Sequence, residues 1–222
     1  MYTHLHKELE KLKTLSLKMA SYVKESLKDC IYAFKNMDTD LAQQIVDGDE
    51  RVNHLEVKID ETCLKLLALE GPVAKDLRFI IGCMRASIDL ERIGDETANI
   101  AQTTIILSLK PKLPFYTELT HMGNKSLEML EYALESFFKP DPDMAIDVCK
   151  MDSTVDKLNN DIIKEIIAYM IKEIPAIKRS VYCINIARRF ERIGDLATNI
   201  AESGVFIAKG INIKHYCQFD NR

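Results

Sequence analysis

Glu91 and Asp95 stand four residues apart, and the same pair returns 100 residues later as Glu191 and Asp195, each inside a copy of the pentapeptide ERIGD. At that spacing two helical side chains differ by only about 40° of rotation, so each pair projects from one face and its oxygens can share one cation. A second acidic row precedes each copy. Asp49, Asn53, Glu56 and Asp60 recur at four, three and four residues, and Asp152, Asp156 and Asn159 form the matching row in the other half. Two adjacent antiparallel helices carrying these rows would gather Asp49, Asn53, Glu91 and Asp95 in one place, and Asp152, Asp156, Glu191 and Asp195 in another. Crowded carboxylates repel, and a multivalent cation relieves the repulsion. An all-oxygen set suits hard or borderline ions: iron, manganese and magnesium, with zinc a further candidate.

Two simpler roles compete with a metal site. A lone acidic pair on an exposed helix is commonplace and needs no function; repetition at equivalent points in two halves argues against that reading here. Alternatively Arg92 and Arg192, inside the motif, would neutralise the acids and turn each copy into a structural clasp. Leu90, Ile93, Thr97 and Ile100 lie on roughly the opposite side of the helix from Glu91 and Asp95. The pair is therefore expected outside its own bundle's core, on a surface or facing another bundle. Gly94 and Gly194 fall on the acidic side, where a missing side chain lets a group approach the backbone.

The elements that carry these residues follow from the repeat. ERIGDETANIA (Glu91 to Ala101) and ERIGDLATNIA (Glu191 to Ala201) agree at eight of eleven positions, and a shift of 103 superposes Phe34 on Phe137, Asp38 on Asp141, Asp49 on Asp152, Val52 on Val155 and Pro72 on Pro175. Such self-similarity marks a duplicated unit. Only 8 Gly and 6 Pro interrupt 222 residues, and the apolar residues recur at three and four, so the periodic stretches are long helices. The breakers predict helices over about 4–36, 39–69, 73–109, 115–138, 142–172 and 175–210, with Asp38 capping the second. Short connections make neighbours antiparallel. The expected fold is all-α: two tandem, pseudo-symmetric three-helix up-down bundles, spectrin-repeat-like, spanning 1–111 and 112–222 with Pro111 and Pro114 at the boundary.

Composition narrows the function. A net charge of −4 and a pI near 5.8 give no general attraction to nucleic acid. The N-terminal residues lack the apolar run of a signal peptide, and no segment has the roughly 18 apolar residues of a membrane span, so the protein is expected in the cytoplasm. Cys30, Cys63, Cys83, Cys149, Cys183 and Cys217 form no CxxC pair and read as reduced thiols, mostly buried. Arg78, Arg85, Arg188, Arg189 and Arg192 read as solvated charge. No glycine-rich phosphate loop is present.

ERIGD followed by AxNI, the segment DGDERVNHLEVKID from Asp47 to Asp60, and Asp76-Leu77-Arg78 opening the third helix resemble the PhoU family of phosphate-uptake regulators over essentially the whole chain. The resemblance implies two symmetry-related three-helix bundles, each with a surface site of E/DxxxD pairs that holds a multinuclear cluster of iron or another metal. Carried across, the pairs are Asp49 with Asn53, Glu91 with Asp95, Asp152 with Asp156, and Glu191 with Asp195. Asn53 departs from the acidic pattern, so the first site is expected to be weaker or to draw on Glu56 or Asp60. The implied role is negative regulation of the phosphate-starvation response. It links the ATPase subunit of the phosphate ABC transporter to the sensor histidine kinase of a two-component system, with contact to the membrane only through those partners. No catalysis is implied, and a symmetric homodimer is the default assembly. Two other classes are a metal-free helical adaptor and a carboxylate-bridged di-iron oxidase or ferroxidase. For the latter only Glu118-Leu-Thr-His121 offers the required Glu-x-x-His, without a counterpart in the other half.

Overall fold

The computed structural model describes residues 4–139 and 142–211; Asp141, His215 and Cys217 lie outside them. The helices are α1 (His4–Asn36), α2 (Thr39–Gly48), α3 (Glu50–Leu69), α4 (Ala74–Ser108), α5 (Tyr116–Phe138), α6 (Pro142–Lys172) and α7 (Ile177–Lys209), the last preceded by a 3₁₀ turn, Ile174–Ala176. All regular structure among the described residues is helical.

Local chemistry sets the ends. Met37, at φ 55°, breaks the chain out of α1, and the Asp38 side chain accepts from the Leu41 N–H at 3.0 Å to start α2, as the sequence predicts for an N-cap. Gly210, at φ 71°, closes α7, a left-handed position that glycine occupies without Cβ strain. The predicted helix over 39–69 is divided. At Asp49 the backbone stays right-handed, but its N–H bonds Val46 O and the Val52 N–H bonds Asp49 O, each three residues apart. This tightened turn separates α2 from α3 at the first acid of the row, whereas α6 runs through the equivalent Asp152 unbroken.

Each half is a three-helix bundle, α1 with α2/α3 and α4, and α5 with α6 and α7. The duplicated register shows in the cores: Met19 and Met122, Leu27 and Leu130, and Phe34 and Phe137 are all buried. One continuous hydrophobic cluster runs through both halves, because α1 packs on α5 and α4 on α7. The α4–α7 seam is antiparallel. Arg78 Nε donates to Ile207 O at 3.2 Å, Arg85 stacks 4.8 Å from the Phe206 ring centre, and Arg189 and Arg192 both grip Glu96. Arg179 donates to Pro111 O at 2.7 Å on the segment that follows α4. Four arginines read as solvated charge from the sequence, Arg78, Arg85, Arg189 and Arg192, thus join the two halves. The correction arises because a fork of five donors reaches carbonyls, carboxylates and ring faces that lie on the other half of the chain.

The cysteines also need a correction. Cys30, Cys63, Cys83 and Cys183 are free and buried, and burial pushes each thiol up to about 12, where it behaves as a small apolar side chain. Cys149, by contrast, is disulfide-bonded; it sits half-exposed on α6 rather than in the core.

Candidate metal centres

The buried stripe of α3, with Val52, Leu55 and Ile59, packs toward α4, whose Leu90, Ile93, Thr97 and Ile100 are buried in turn. With those stripes inside, the acidic rows are left along the rim of the groove between the two helices. Asp49, Glu56, Asp60 and Glu91 are half-buried there, while Asn53 and Asp95 are exposed. The second half repeats the arrangement with Asp152 and Glu191 half-buried and Asp156 and Asp195 exposed. The acids are outside the bundle core, as expected, but they meet the second helix of their own half rather than another bundle.

The motif glycines mark the closest approach. A Cβ on Gly94 would stand 3.3 Å from Asp49 Oδ1 and 3.4 Å from Val52 Cγ1, whereas one on Gly194 would meet Met129 Sδ first, at 3.3 Å, with Asp152 Oδ1 at an ordinary contact distance of 3.6 Å. In the first half the absence of a side chain lets the Asp49 carboxylate rest against the backbone of α4, while in the second the closest neighbour is the Met129 thioether of α5. A glycine in mid-helix costs roughly 1 kcal/mol relative to alanine, and here the same residue type stands at the same point in both halves.

Electrostatics connects the remaining members. Burial raises Asp49, as does Asp95, while a hydrogen bond with Asn53 opposes them. Glu56 is raised by burial, then Asp60 and Asp95. Glu91 is raised by burial, Asp95, Glu56 and Asp49, against a smaller pull from Arg92. Glu56 therefore supplies the charge that Asn53 lacks. In the second half, burial followed by Asp195, Asp156, Glu191 and Glu202 lifts Asp152 from 3.8 to about 7. Burial lifts Asp156; burial, Asp195 and Asp156 lift Glu191 against Arg188; burial and Asp156 lift Asp195 against Arg192. Glu202 was missed in the sequence because its first-half equivalent is Gln102, so the repeat gave no signal; it is buried two turns beyond Asp195 on α7.

Three observations bear on whether these residues suit a cation. Among the described residues, none of the nine acids makes an ion pair with lysine, arginine or histidine within 4.0 Å. Arg192 instead binds Glu96 at 3.2 Å, and Arg92 is exposed without an ion pair, so neither arginine clasps the motif acids. Finally, Asp60 Oδ1 in the first row and Asn159 Oδ1 in the second are buried without a hydrogen-bond partner, a costly condition that a cation would relieve. The donor set fits an oxygen-seeking metal. No three acidic, histidine or cysteine side chains among the described residues yet converge on a single point, so chelation requires side-chain rotation toward the ion. The lone Glu-x-x-His segment joins neither group: Glu118 and His121 are exposed on α5.

The sequence and fold have known relatives. The family model described as the PhoU domain matches the chain twice, over 17–104 and 119–204. A phosphate-specific transport system accessory protein PhoU homolog of Pseudomonas aeruginosa is 37% identical over 209 residues, covering 94% of this chain and 86% of the relative. The Escherichia coli protein of that name is 34% identical over 211 residues, with the same coverage of each chain. The crystal structure of PhoU from Pseudomonas aeruginosa superposes with a TM-score of 0.90 at 37% identity, covering 92% of this chain and 99% of that one. The crystal structure of the phosphate transport system regulatory protein PhoU from Streptococcus pneumoniae superposes with a TM-score of 0.85 at 30% identity, covering 94% and 99%.

Proposed function

The chain belongs to the PhoU family, and on that premise we propose that it is a metal-binding, non-catalytic regulator of phosphate transport. The observation that carries the metal reading is the pair of equivalent carboxylate groups, each without a basic partner. In the first half Asp49, Glu56, Asp60, Glu91 and Asp95 would hold the ion, with Asn53 as a neutral oxygen donor. Asp152, Asp156, Glu191 and Asp195 would do so in the second. The bound cation supplies positive charge that neutralises repelling carboxyls and ties the second helix of each half to the third. Iron is the first candidate, with manganese, magnesium and zinc as alternatives.

Regulation then runs through protein contacts: with the ATPase subunit of the phosphate ABC transporter and with the sensor histidine kinase, in the cytoplasm, as a homodimer. Relatives named as accessory and regulatory proteins of phosphate transport support this role, as does the lack, among the described residues, of a helix long and apolar enough to cross a membrane. Under this reading the protein damps the phosphate-starvation response when phosphate is plentiful. The metal-free clasp is less well supported, since the motif arginines are engaged elsewhere or exposed.

The test is metal content by mass spectrometry on untagged protein, comparing wild type with Glu91→Ala/Asp95→Ala and Glu191→Ala/Asp195→Ala, each checked by circular dichroism. Staged loss of metal with helicity retained supports two sites. Absence of metal above background from every preparation after loading with Fe, Mn, Mg and Zn would sink the metal reading and leave the regulatory role to the helical surface alone.

A further inference from the structure

The α1–α5 seam is antiparallel, and the internal two-fold leaves an equivalent cleft at each of its ends. One, of about 540 Å³, is lined by Leu17, Ala20, Leu134 and Phe138 together with four charged residues, Lys24, Glu131, Glu135 and Lys139. The other, of about 630 Å³, is lined by Lys35, Lys112, Thr117, Thr120, His121 and Asn124, with Leu113, Pro114 and Tyr116 as its apolar wall. The shift of 103 that relates the halves puts Lys35 on Phe138, Thr120 on Leu17 and Asn124 on Ser21. The two clefts are therefore one design with two linings.

Charge compensation separates them. In the first cleft Lys24 pairs with Glu131 at 3.9 Å and Lys139 with Glu135 at 3.4 Å, and both glutamates line that cleft. By the same shift their counterparts are Lys28 and Tyr32, neither of them acidic. Among the described residues no acidic side chain lines the second cleft, and Lys35, Lys112 and His121 take part in no ion pair. Two ammonium groups facing one concavity without counter-charge repel each other, and an anion is the group that relieves them. The remaining lining supplies the His121 imidazole and the Thr117 hydroxyl as further donors. The wall of Leu113, Pro114 and the Tyr116 ring offers apolar surface to whatever carries the anion. The carboxylate groups lie on other helices.

We propose that this cleft is a binding site for a phosphate-type oxyanion, either inorganic phosphate or the phosphate group of a small organic monoester. Lys35 and Lys112 neutralise the dianion, Thr117 and His121 donate to its remaining oxygens, and an organic portion lies on the Leu113–Pro114–Tyr116 wall. Lysine serves here as a point charge, for which flexible reach matters more than a fixed fork.

Isothermal titration calorimetry on the full chain at low ionic strength, with chelator present to remove any metal contribution, tests it with inorganic phosphate and glycerol phosphate. Saturable binding of either probe is expected, weakened about tenfold or more in Lys35→Ala/Lys112→Ala and by added salt. Lys24→Ala, in the neutralised cleft, should leave the affinity unchanged. Tighter binding of the monoester would assign the wall to an organic group; equal binding would assign the site to the free ion. No saturable binding of either probe to a correctly helical wild type overturns the proposal, and so does binding that the double variant retains. Because metal is withheld throughout, failure here leaves the metal reading standing, and loss of metal in the carboxylate variants leaves this site standing.

Discussion

Asp152 is the side chain whose environment departs furthest from water among the candidate ligands. Its acid form is favoured in the folded chain up to about pH 7, whereas the unfolded chain releases that proton near pH 4. Between those values the native state binds more protons than the unfolded state, so stability falls as pH rises. Metal-free protein should therefore unfold at a higher temperature at pH 5 than at pH 8 as far as this residue acts. Asp152→Asn should remove that contribution and stabilise the metal-free protein at pH 8 by on the order of 1–2 kcal/mol, allowing for solvent screening at a half-exposed rim. Thermal unfolding across pH for both proteins checks it; a parallel pH dependence in the variant would refute the assignment. Gly94 provides a second residue-level test. Alanine there gains up to about 1 kcal/mol of helix propensity, but its methyl would press on Asp49 Oδ1 and Val52 Cγ1 at 3.3 and 3.4 Å. Stability should change little, while metal uptake by the first half drops severalfold in a titration read by mass spectrometry.

The α4–α7 pair sets how the two sites stand relative to each other. Glu96, only 7% exposed, follows Asp95 of the first site directly, and Arg192, which binds it, follows Glu191 of the second. Its equivalent in the other half is Leu196, so the clasp has no symmetric copy. Removing one partner of such a buried pair leaves an uncompensated group. Glu96→Ala should cost about 2–4 kcal/mol in urea unfolding, and Arg192→Ala, whose side chain is more than half exposed, no more than about 1 kcal/mol. The reverse order would show that Arg189 contributes little and that the exposed arginine dominates. Gly204 acts on the α5–α7 packing, where a Cβ would meet Ser136 O and Phe137 Cα at 3.0 Å. Backbone cannot step aside as a side-chain tip can, so Gly204→Ala should destabilise by about 1–3 kcal/mol.

Across the whole molecule the hydrophobic cluster is continuous, and both the α1–α5 and α4–α7 faces are covered by the other half. A fragment of residues 1–111 exposes those faces to water. It should unfold at lower denaturant than the intact chain, and with a smaller dependence on denaturant, since less surface is buried. Recovery of the full stability in the fragment would mean that the halves are independent domains. The seam also explains how a repeat protein can place unlike sites at equivalent points. Once the core register is satisfied by Met19 and Met122, Leu27 and Leu130, and Phe34 and Phe137, rim positions such as Lys35 and Phe138 are free to differ.

Helix type, the three-helix plan of each half and the placing of the acidic rows outside the core were legible in the chain, because they rest on local properties: periodicity, breakers, and two copies of one motif in register. Repetition made the acidic pairs stand out from ordinary surface charge, and of the two motif glycines the structure sets a carboxylate tightly against Gly94 alone. Other features depended on residues far apart in sequence. The tightened turn at Asp49 has no equivalent at Asp152. Arg78, Arg85, Arg189 and Arg192 looked solvated until the other half was brought against them. Glu202 joins the environment of Asp152 only because α7 returns along α6, and the two clefts differ only once α1 lies along α5. Pattern within a helix determines which face is apolar; which charge ends up beside which is decided by how the helices pack, since electrostatic contacts follow distance in space and not along the chain.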